Sequence, residues 1–135
     1  MTPEEQRAQV ARYWWSQAEE SLVAARRELD VGALSFAVNR LYYAVFYAVS
    51  AALFERQLSF KKDAAVRAAF HQELVKAGLL EPQWGKVYDQ LFEDRQEADY
   101  VPLVSFDHEY VQSQLARCGQ FLDQIRPLIS SLSQQ

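Results

Sequence analysis

LYYAVFYAVSAALF, residues 41–54, contains a single polar residue, Ser50, so a helix built from this stretch is apolar on every side. Such a helix has to be covered all round, either as the central helix of a bundle or as an interface shared between subunits. Asn39 and Arg40 stand directly before it. Because a charged group beside a core is costly unless it meets a partner, the sequence predicts a polar site where this helix begins.

The composition predicts a single helical domain over residues 1–135. Half of the 135 residues are hydrophobic, 24% are charged, and glycine and proline number four each. A chain of this length buries roughly two-thirds of its unfolded surface, which is enough for one core. The formal net charge of -4 gives no general attraction for nucleic acid, so an anion site has to be local.

The sequence also predicts a soluble, cytoplasmic protein without membrane contact. Its one cysteine, Cys118, leaves no internal disulfide to expect. Residues 1–28 alternate charged and apolar residues at helical spacing, which is not the pattern of a signal peptide. The apolar run at 41–54 is shorter than the ~20 residues that a membrane span needs.

Periodicity and cap residues predict five helices. Thr2 and Pro3 begin helix 1, which runs to about residue 29 and is followed by a tight break at 30–32. Helix 2 covers residues 33–57. After a loop at 58–62, Asp63 caps a shorter helix 3, which Gly78 stops.

The last two helices complete the predicted fold. Pro82 begins helix 4, which ends near Tyr100, before the proline at 102. Ser105 or Asp107 caps helix 5, and Pro127 is expected to loosen its last turns. Short connections make neighbouring helices antiparallel. The predicted fold class is therefore all-α: an antiparallel up-and-down helical bundle of four long helices plus one short helix.

Arg95 lies on the inward face of helix 4, four residues after Leu91 and eight after Val87. A guanidinium in that place needs an acceptor, and two interpretations remain open. Asp99, four residues on, would form an ordinary ion pair within the helix. In the other interpretation Arg95 binds a phosphate or a carboxylate of a partner subunit. Arg40 faces the same choice at the entrance of helix 2.

Two further groups have both a structural and a functional interpretation. The first is a set of tyrosines, which are either core residues or the walls of a cleft on which a base stacks. These are Tyr42, Tyr43, Tyr47 and Tyr100. The second is a basic cluster beside the loop at 58–62, which is either solvated charge or a patch that follows phosphates. It consists of Arg56, Lys61, Lys62 and Arg67.

No metal or cofactor is expected. His71 and His108 are not spaced with carboxylates or thiols as metal ligands are. The chain has no glycine-rich phosphate loop, no nucleophile elbow and no Glu-x-x-His pair for a di-iron site. No motif is specific for DNA.

Segments of helices 2 and 4 together resemble the HEPN domain family. NRLYYAVF at residues 39–46 is similar to the N/S-R-x-Y-Y-A-x-F-like segment that the family carries on its second helix. RQEADY at residues 95–100 is similar to the R-x-x-A-D-Y-like end of its fourth helix. The order and spacing of these segments match the family over about residues 13–129.

The resemblance implies a bundle that pairs into a homodimer with a cleft between the subunits. Family members are often encoded beside a small nucleotidyltransferase, and some are toxins that cut RNA without a metal. Those ribonucleases use an Arg that holds the phosphate and, four to six residues later, a His that moves a proton. Here Arg95 is present, but Tyr100 stands where the His would, and Asp63 occupies a second family His position. Whether the chain is an enzyme therefore stays open.

Three functions follow as hypotheses. The leading one is binding of a nucleotide or RNA phosphate in a dimer cleft, together with a small nucleotidyltransferase partner in a toxin–antitoxin-type module. Its expected ligand-binding residues are Asn39, Arg40, Tyr43, Arg95, Asp99 and Tyr100. The second is a metal-independent ribonuclease with Arg95 and Tyr100 as catalytic residues. The third is a non-enzymatic helical module for dimerisation and interaction.

Overall fold

A computed structural model describes the backbone of residues 1–134 and the side chains of residues 1–132. All regular structure within that part of the chain is helical, which confirms the all-α prediction. The α-helices are α1 (Pro3–Asp30), α2 (Leu34–Glu55), α3 (Asp63–Phe70), α4 (Pro82–Tyr100) and α5 (His108–Ile125). A π-helical turn, His71–Val75, extends α3, and two 3₁₀ turns, Arg126–Leu128 and Ser130–Gln134, follow α5.

Consecutive long helices run antiparallel, as predicted. A turn at residues 31–33, in which Gly32 has a φ of 78°, reverses the chain between α1 and α2. The start of α2 lies beside the end of α4, where Asn39 bonds to Asp99. The end of α4 lies beside the start of α5, where Tyr110 donates to Asp94. The bundle therefore brings the entrance of α2 and the end of α4 to the same place.

α2 is the central helix, because it packs against α1, α3, α4 and α5. Its 22 residues make it long and apolar enough to cross a membrane. The shortness of the run at 41–54 is therefore not an argument against a membrane span. The burial of α2 is more informative, since 61% of its most apolar window is covered by the other helices. That burial is what the central helix of a bundle requires.

Two side-chain caps agree with the predicted helix starts. The Thr2 hydroxyl accepts from the Glu5 backbone N–H at 3.1 Å at the start of α1. At the start of α5 the Asp107 carboxylate accepts from the Tyr110 backbone N–H at 3.2 Å, which selects Asp107 over Ser105 as the cap. Each cap satisfies a backbone N–H that has no partner within its helix.

The C-terminal turns are fastened to the end of α2. As predicted for Pro127, α5 gives way to a 3₁₀ turn at that residue. The Glu55 carboxylate then accepts from the backbone N–H and hydroxyl of Ser130, each at 2.7 Å, and from the backbone N–H of Ser131 at 3.1 Å. Burial alone would raise the pKa of Glu55, but these hydrogen bonds outweigh it and hold the pKa below its ordinary value.

Replacing Glu55 with Gln is expected to lower the free energy of unfolding by about 1–2 kcal/mol at pH 7, because a neutral amide oxygen accepts these bonds more weakly. Since the folded pKa is depressed, the contribution is complete above the unfolded pKa near 4.5 and disappears as the pH falls through the lower folded pKa. Urea unfolding of both proteins at pH 7 and pH 3 measures this, and the difference should shrink at pH 3. A difference independent of pH would mean that the carboxylate charge does not fasten the turn.

Candidate functional site

The polar residues at the entrance of α2 are connected to the end of α4. The Asn39 amide nitrogen donates to both carboxylate oxygens of Asp99, each at 3.2 Å. The Asn39 carbonyl oxygen accepts from Nε of Arg40 at 3.1 Å and also from Nη2 of the same side chain. One amide therefore links a carboxylate to a guanidinium and fixes the direction of the Arg40 side chain.

Arg95 joins the same group from α4. It is only 9% exposed, and its Nη2 donates to the Tyr43 hydroxyl at 2.8 Å. Two carboxylates approach its guanidinium: Asp63 lies 3.4 Å from Nη2, and Asp99 lies 3.2 Å from Nε. Because Arg95 Nε has no acceptor in hydrogen-bond geometry among the described residues, its contact with Asp99 is an ion pair and not a hydrogen bond. We call these residues, with Asn39 and Arg40, the Arg40–Arg95 cluster.

The surroundings keep Arg95 positively charged. Burial alone would lower the pKa of its guanidinium, but the Tyr43 hydrogen bond and the nearby Asp63 charge raise the pKa above its ordinary value. The neighbouring Tyr42 is fully buried, and burial together with the Asp63 charge raises the pKa of its hydroxyl. Tyr42 is therefore a neutral phenol that lines the cluster and does not act as a base at neutral pH.

Arg40 differs from Arg95, because no carboxylate lies within ion-pair distance of it in the described part of the chain. Both guanidinium carbons lie 5.3 Å from the centre of the Tyr43 ring, which attracts them as cations. The two guanidinium groups and the two carboxylates of Asp63 and Asp99 sum to zero formal charge. The charges are separated, however: both carboxylates contact Arg95, and the Arg40 end of the cluster is left positive.

The structure brings five of the six predicted ligand-binding residues together. These are Asn39, Arg40, Tyr43, Arg95 and Asp99. Tyr100 does not join them, since it is 68% exposed and its side chain makes no hydrogen bond or ring contact with another described residue. A ligand-binding role for any of the six stays a prediction.

Sequence reasoning missed Asp63 as a member of the cluster. The prediction that Asp63 caps helix 3 is wrong, because the cap position is Lys62 and carries no side-chain cap bond. Asp63 is instead the first residue of α3, and its carboxylate lies against Arg95. A guanidinium is a stronger partner for a carboxylate than a neutral backbone N–H is. One signal in the sequence could have indicated that Asp63 belongs to the site: it occupies the second His position of the HEPN resemblance.

The predicted basic cluster beside the loop at 58–62 does not act as one patch, because two of its four members are bound to other parts of the protein. Arg56 donates to the backbone carbonyls of residues 52 and 128, so it fastens helix ends. Arg67 pairs with Asp89 at 3.4 Å between α3 and α4. Lys61 and Lys62 are exposed and form no ion pair within the described residues, which makes them the only members still available to a ligand.

Among the described residues no three His, Cys, Asp or Glu side chains cluster as a metal site would. The imidazole of His71 bonds to Asp89 at 2.8 Å. Cys118 is fully buried, where its thiol donates to the Leu41 carbonyl oxygen, and burial raises the pKa of this thiol to about 12. Cys118 therefore fills the core and is not a nucleophile at neutral pH.

Comparison with known proteins gives one family and several relatives. The model of the HEPN domain matches residues 11–128. A protein of Thermotoga maritima named "UPF0332 protein" is 42% identical over 127 residues, which are 94% of this chain and 96% of the relative. Two proteins of Methanocaldococcus jannaschii, "Putative toxin MJ0142" and "Putative toxin MJ0605", are 29% and 30% identical over 84% and 85% of this chain. The matches cover 78% and 85% of those two relatives.

The family match includes every residue of the Arg40–Arg95 cluster. It also includes α2 and α4 in full, with both segments on which the resemblance rests. A match over residues 11–128 of 135 covers most of the chain. This protein therefore belongs to the HEPN domain family.

Proposed function

We propose that this protein binds the phosphate of a nucleotide or of RNA at the Arg40–Arg95 cluster, in the cleft of a homodimer. It acts with a small nucleotidyltransferase partner as one half of a toxin–antitoxin-type module in the cytoplasm. The proposal rests on the orientation and the unneutralised charge of the Arg40 side chain. Its guanidinium is oriented by Asn39 and lies beside Tyr43, and no carboxylate neutralises it within the described residues.

The chemistry of Arg40 suits a phosphate group. The Asn39 carbonyl oxygen engages Nε and Nη2, which leaves the N–H groups of Nη1 for a ligand. A guanidinium with two or more free N–H groups binds phosphate oxygens through charge-assisted hydrogen bonds. The ring of Tyr43 next to it offers a surface on which the base of the same nucleotide can stack.

Exposed apolar side chains around the cluster support the dimer part of the proposal. Phe36 is 70% exposed, one turn before Arg40 on α2. Tyr100, Val101 and Leu103 are also exposed directly after Asp99. Apolar side chains grouped at one end of a bundle are typical of a surface that a second subunit covers. The names of the two Methanocaldococcus jannaschii relatives support the toxin–antitoxin part.

Isothermal titration with ATP, GTP and a short single-stranded RNA tests the binding proposal, and sedimentation of the same sample tests the dimer. We expect one saturable site per protomer for at least one of these ligands, with a Kd below about 1 mM, and a dimer mass. The proposal fails if neither nucleotide nor RNA binds at millimolar concentration.

A metal-independent ribonuclease is the competing function. Tyr100, which stands where the ribonucleases have their His, counts against it, because it is exposed and its side chain makes no hydrogen bond to the cluster within one copy of the chain. Incubation of the protein with structured RNA in EDTA separates the two functions. Cleavage that disappears in Arg95→Ala would replace the binding proposal with catalysis, whereas intact RNA is the result we expect.

A further inference from the structure

A row of aromatic side chains continues from the Arg40–Arg95 cluster along the same side of α2. The rings of Tyr43 and Tyr47 are one helical turn apart, with centres separated by 5.7 Å. Trp14 of α1 stacks on Tyr47 at 5.4 Å, with an angle of 21° between the ring planes. Phe46 contacts both tyrosines edge-on. We call these four residues the aromatic strip.

The aromatic strip ends at a cavity of about 240 Å³ beneath the loop that joins α2 to α3. Trp14 and Phe46 belong to both the strip and the cavity, and Phe54 and Phe60 add further aromatic walls. The polar lining is sparse, with Ser50, Ser59 and Lys61 as its members. A mostly apolar cavity of this kind accepts a flat ring by stacking and does not select one base by hydrogen bonding.

Positively charged side chains lie near both ends of the aromatic strip, although the chain is acidic overall. Arg40 stands at its beginning, and Lys61 lines the cavity without an ion pair among the described residues. A second cavity, of about 430 Å³, shares Phe54 and Ser59 with the first and adds Arg7. Ten residues of α2 separate Arg40 from Ser50, a rise of about 15 Å, which is the length of about four stacked nucleotides.

We propose, building on the proposed function, that the ligand is a single-stranded RNA several nucleotides long. One phosphate binds Arg40, and the following bases stack on the aromatic strip. A further base enters the cavity under Phe60, and Lys61 neutralises the phosphate beside it. The combination of a positive anchor, stacked rings and a ring-sized cavity on one helix face is what recognition of single strands requires. A lone nucleotide would leave the cavity empty.

Binding of AMP and of oligoadenylates of two, four and eight nucleotides tests this inference. We expect Kd to fall at least tenfold between two and four nucleotides and to change little from four to eight. Phe60→Ala, in an exposed loop, should weaken binding of the tetranucleotide about tenfold, because stacking contributes about 1–3 kcal/mol per base. It should leave AMP binding unchanged. Leu79→Ala, another exposed apolar residue, is the matched control.

Two further measurements do not depend on the stability of the Phe60 variant. Lys61→Gln should reduce the slope of log K against log salt by about 0.7, the value for one phosphate contact on a single strand, whereas Lys76→Gln should not. Tetranucleotide binding should also quench tryptophan fluorescence. This quenching should vanish in Trp14→Phe, because Trp15 and Trp84 are buried and belong neither to the aromatic strip nor to the cavity under Phe60.

The outcomes separate this inference from the proposed function. If AMP binds and requires Arg40, but Phe60→Ala and Lys61→Gln bind the tetranucleotide like the wild type, the inference is overturned and the proposed function stands. If neither AMP nor any oligoadenylate binds, both fail. If Phe60→Ala changes the sedimentation state and not the affinity, a second copy of the chain occupies the cavity face, and the inference is again overturned.

Discussion

Arg40→Gln is expected to weaken binding of a nucleotide or short RNA by about 30- to 5000-fold while leaving the thermal midpoint nearly unchanged. Removal of one partner of a hydrogen-bonded charge pair costs about 2–5 kcal/mol of binding free energy. The folded protein loses little, because Arg40 forms no ion pair within the described residues. Isothermal titration measures the affinity, and a thermal melt measures the stability.

The matched control for this prediction is Arg26→Gln, which removes the same charge from an exposed position on α1. If the two variants lose affinity equally, the effect is one of net charge, and Arg40 does not hold the anion. If Arg40→Gln binds like the wild type, the proposed function loses the observation that carries it. Arg40→Lys should recover part of the affinity, because an ammonium group keeps the charge but lacks the planar fork.

Arg95→Ala is expected to reduce both stability and binding. Breaking a buried pair by removing one partner costs about 3–5 kcal/mol. The side chains of Asp63 and Asp99 are 33% and 28% exposed, so water stabilises them in part and we expect a loss of about 2–3 kcal/mol. Without its cation, Asp63 would also stand beside the buried Tyr42, which is an unfavourable environment for a carboxylate.

Urea unfolding measures this loss of stability, and two further variants show whether it comes from the broken ion pairs. Arg67→Ala removes an arginine from the same seam between α3 and α4, but its partner Asp89 is 43% exposed. Such a pair typically contributes about 1 kcal/mol or less, so this variant should be clearly more stable than Arg95→Ala. Adding Asp63→Asn to Arg95→Ala should restore part of the lost stability by removing an unpaired charge. If Arg95→Ala unfolds like the wild type, the cluster does not hold the three helices together.

The sequence predicts the fold well because local signals and burial agree. The apolar stretch at 41–54 has no polar face, so only a central position satisfies it, and α2 occupies that position. The start of α4 at Pro82 and of α5 after Asp107 are set by residues whose own chemistry ends or begins a helix. These signals do not depend on contacts with distant parts of the chain.

The candidate site could be predicted only in part, because its decisive contacts join different helices. The i,i+4 spacing of Arg95 and Asp99 predicts their pairing within α4. No spacing shows that Asp63 lies against Arg95, since 32 positions and a loop separate them along the chain. The aromatic strip could not be predicted from the sequence either, because the stacking of Trp14 on Tyr47 depends on the register of two antiparallel helices.

A lone positive end on a chain of net charge -4 has a kinetic consequence. Beyond about 8–10 Å, the screening length of physiological salt, the charge of Arg40 exerts little attraction on an approaching polyanion, and the acidic surface around it adds none. For the proposed ligand we therefore expect association without the electrostatic steering that brings rate constants to about 10⁸–10⁹ M⁻¹s⁻¹, at the slower rates of uncharged pairs. If the protein binds a single strand as proposed, we expect its ligands to differ mainly in dissociation rate, so residence time is the quantity to measure.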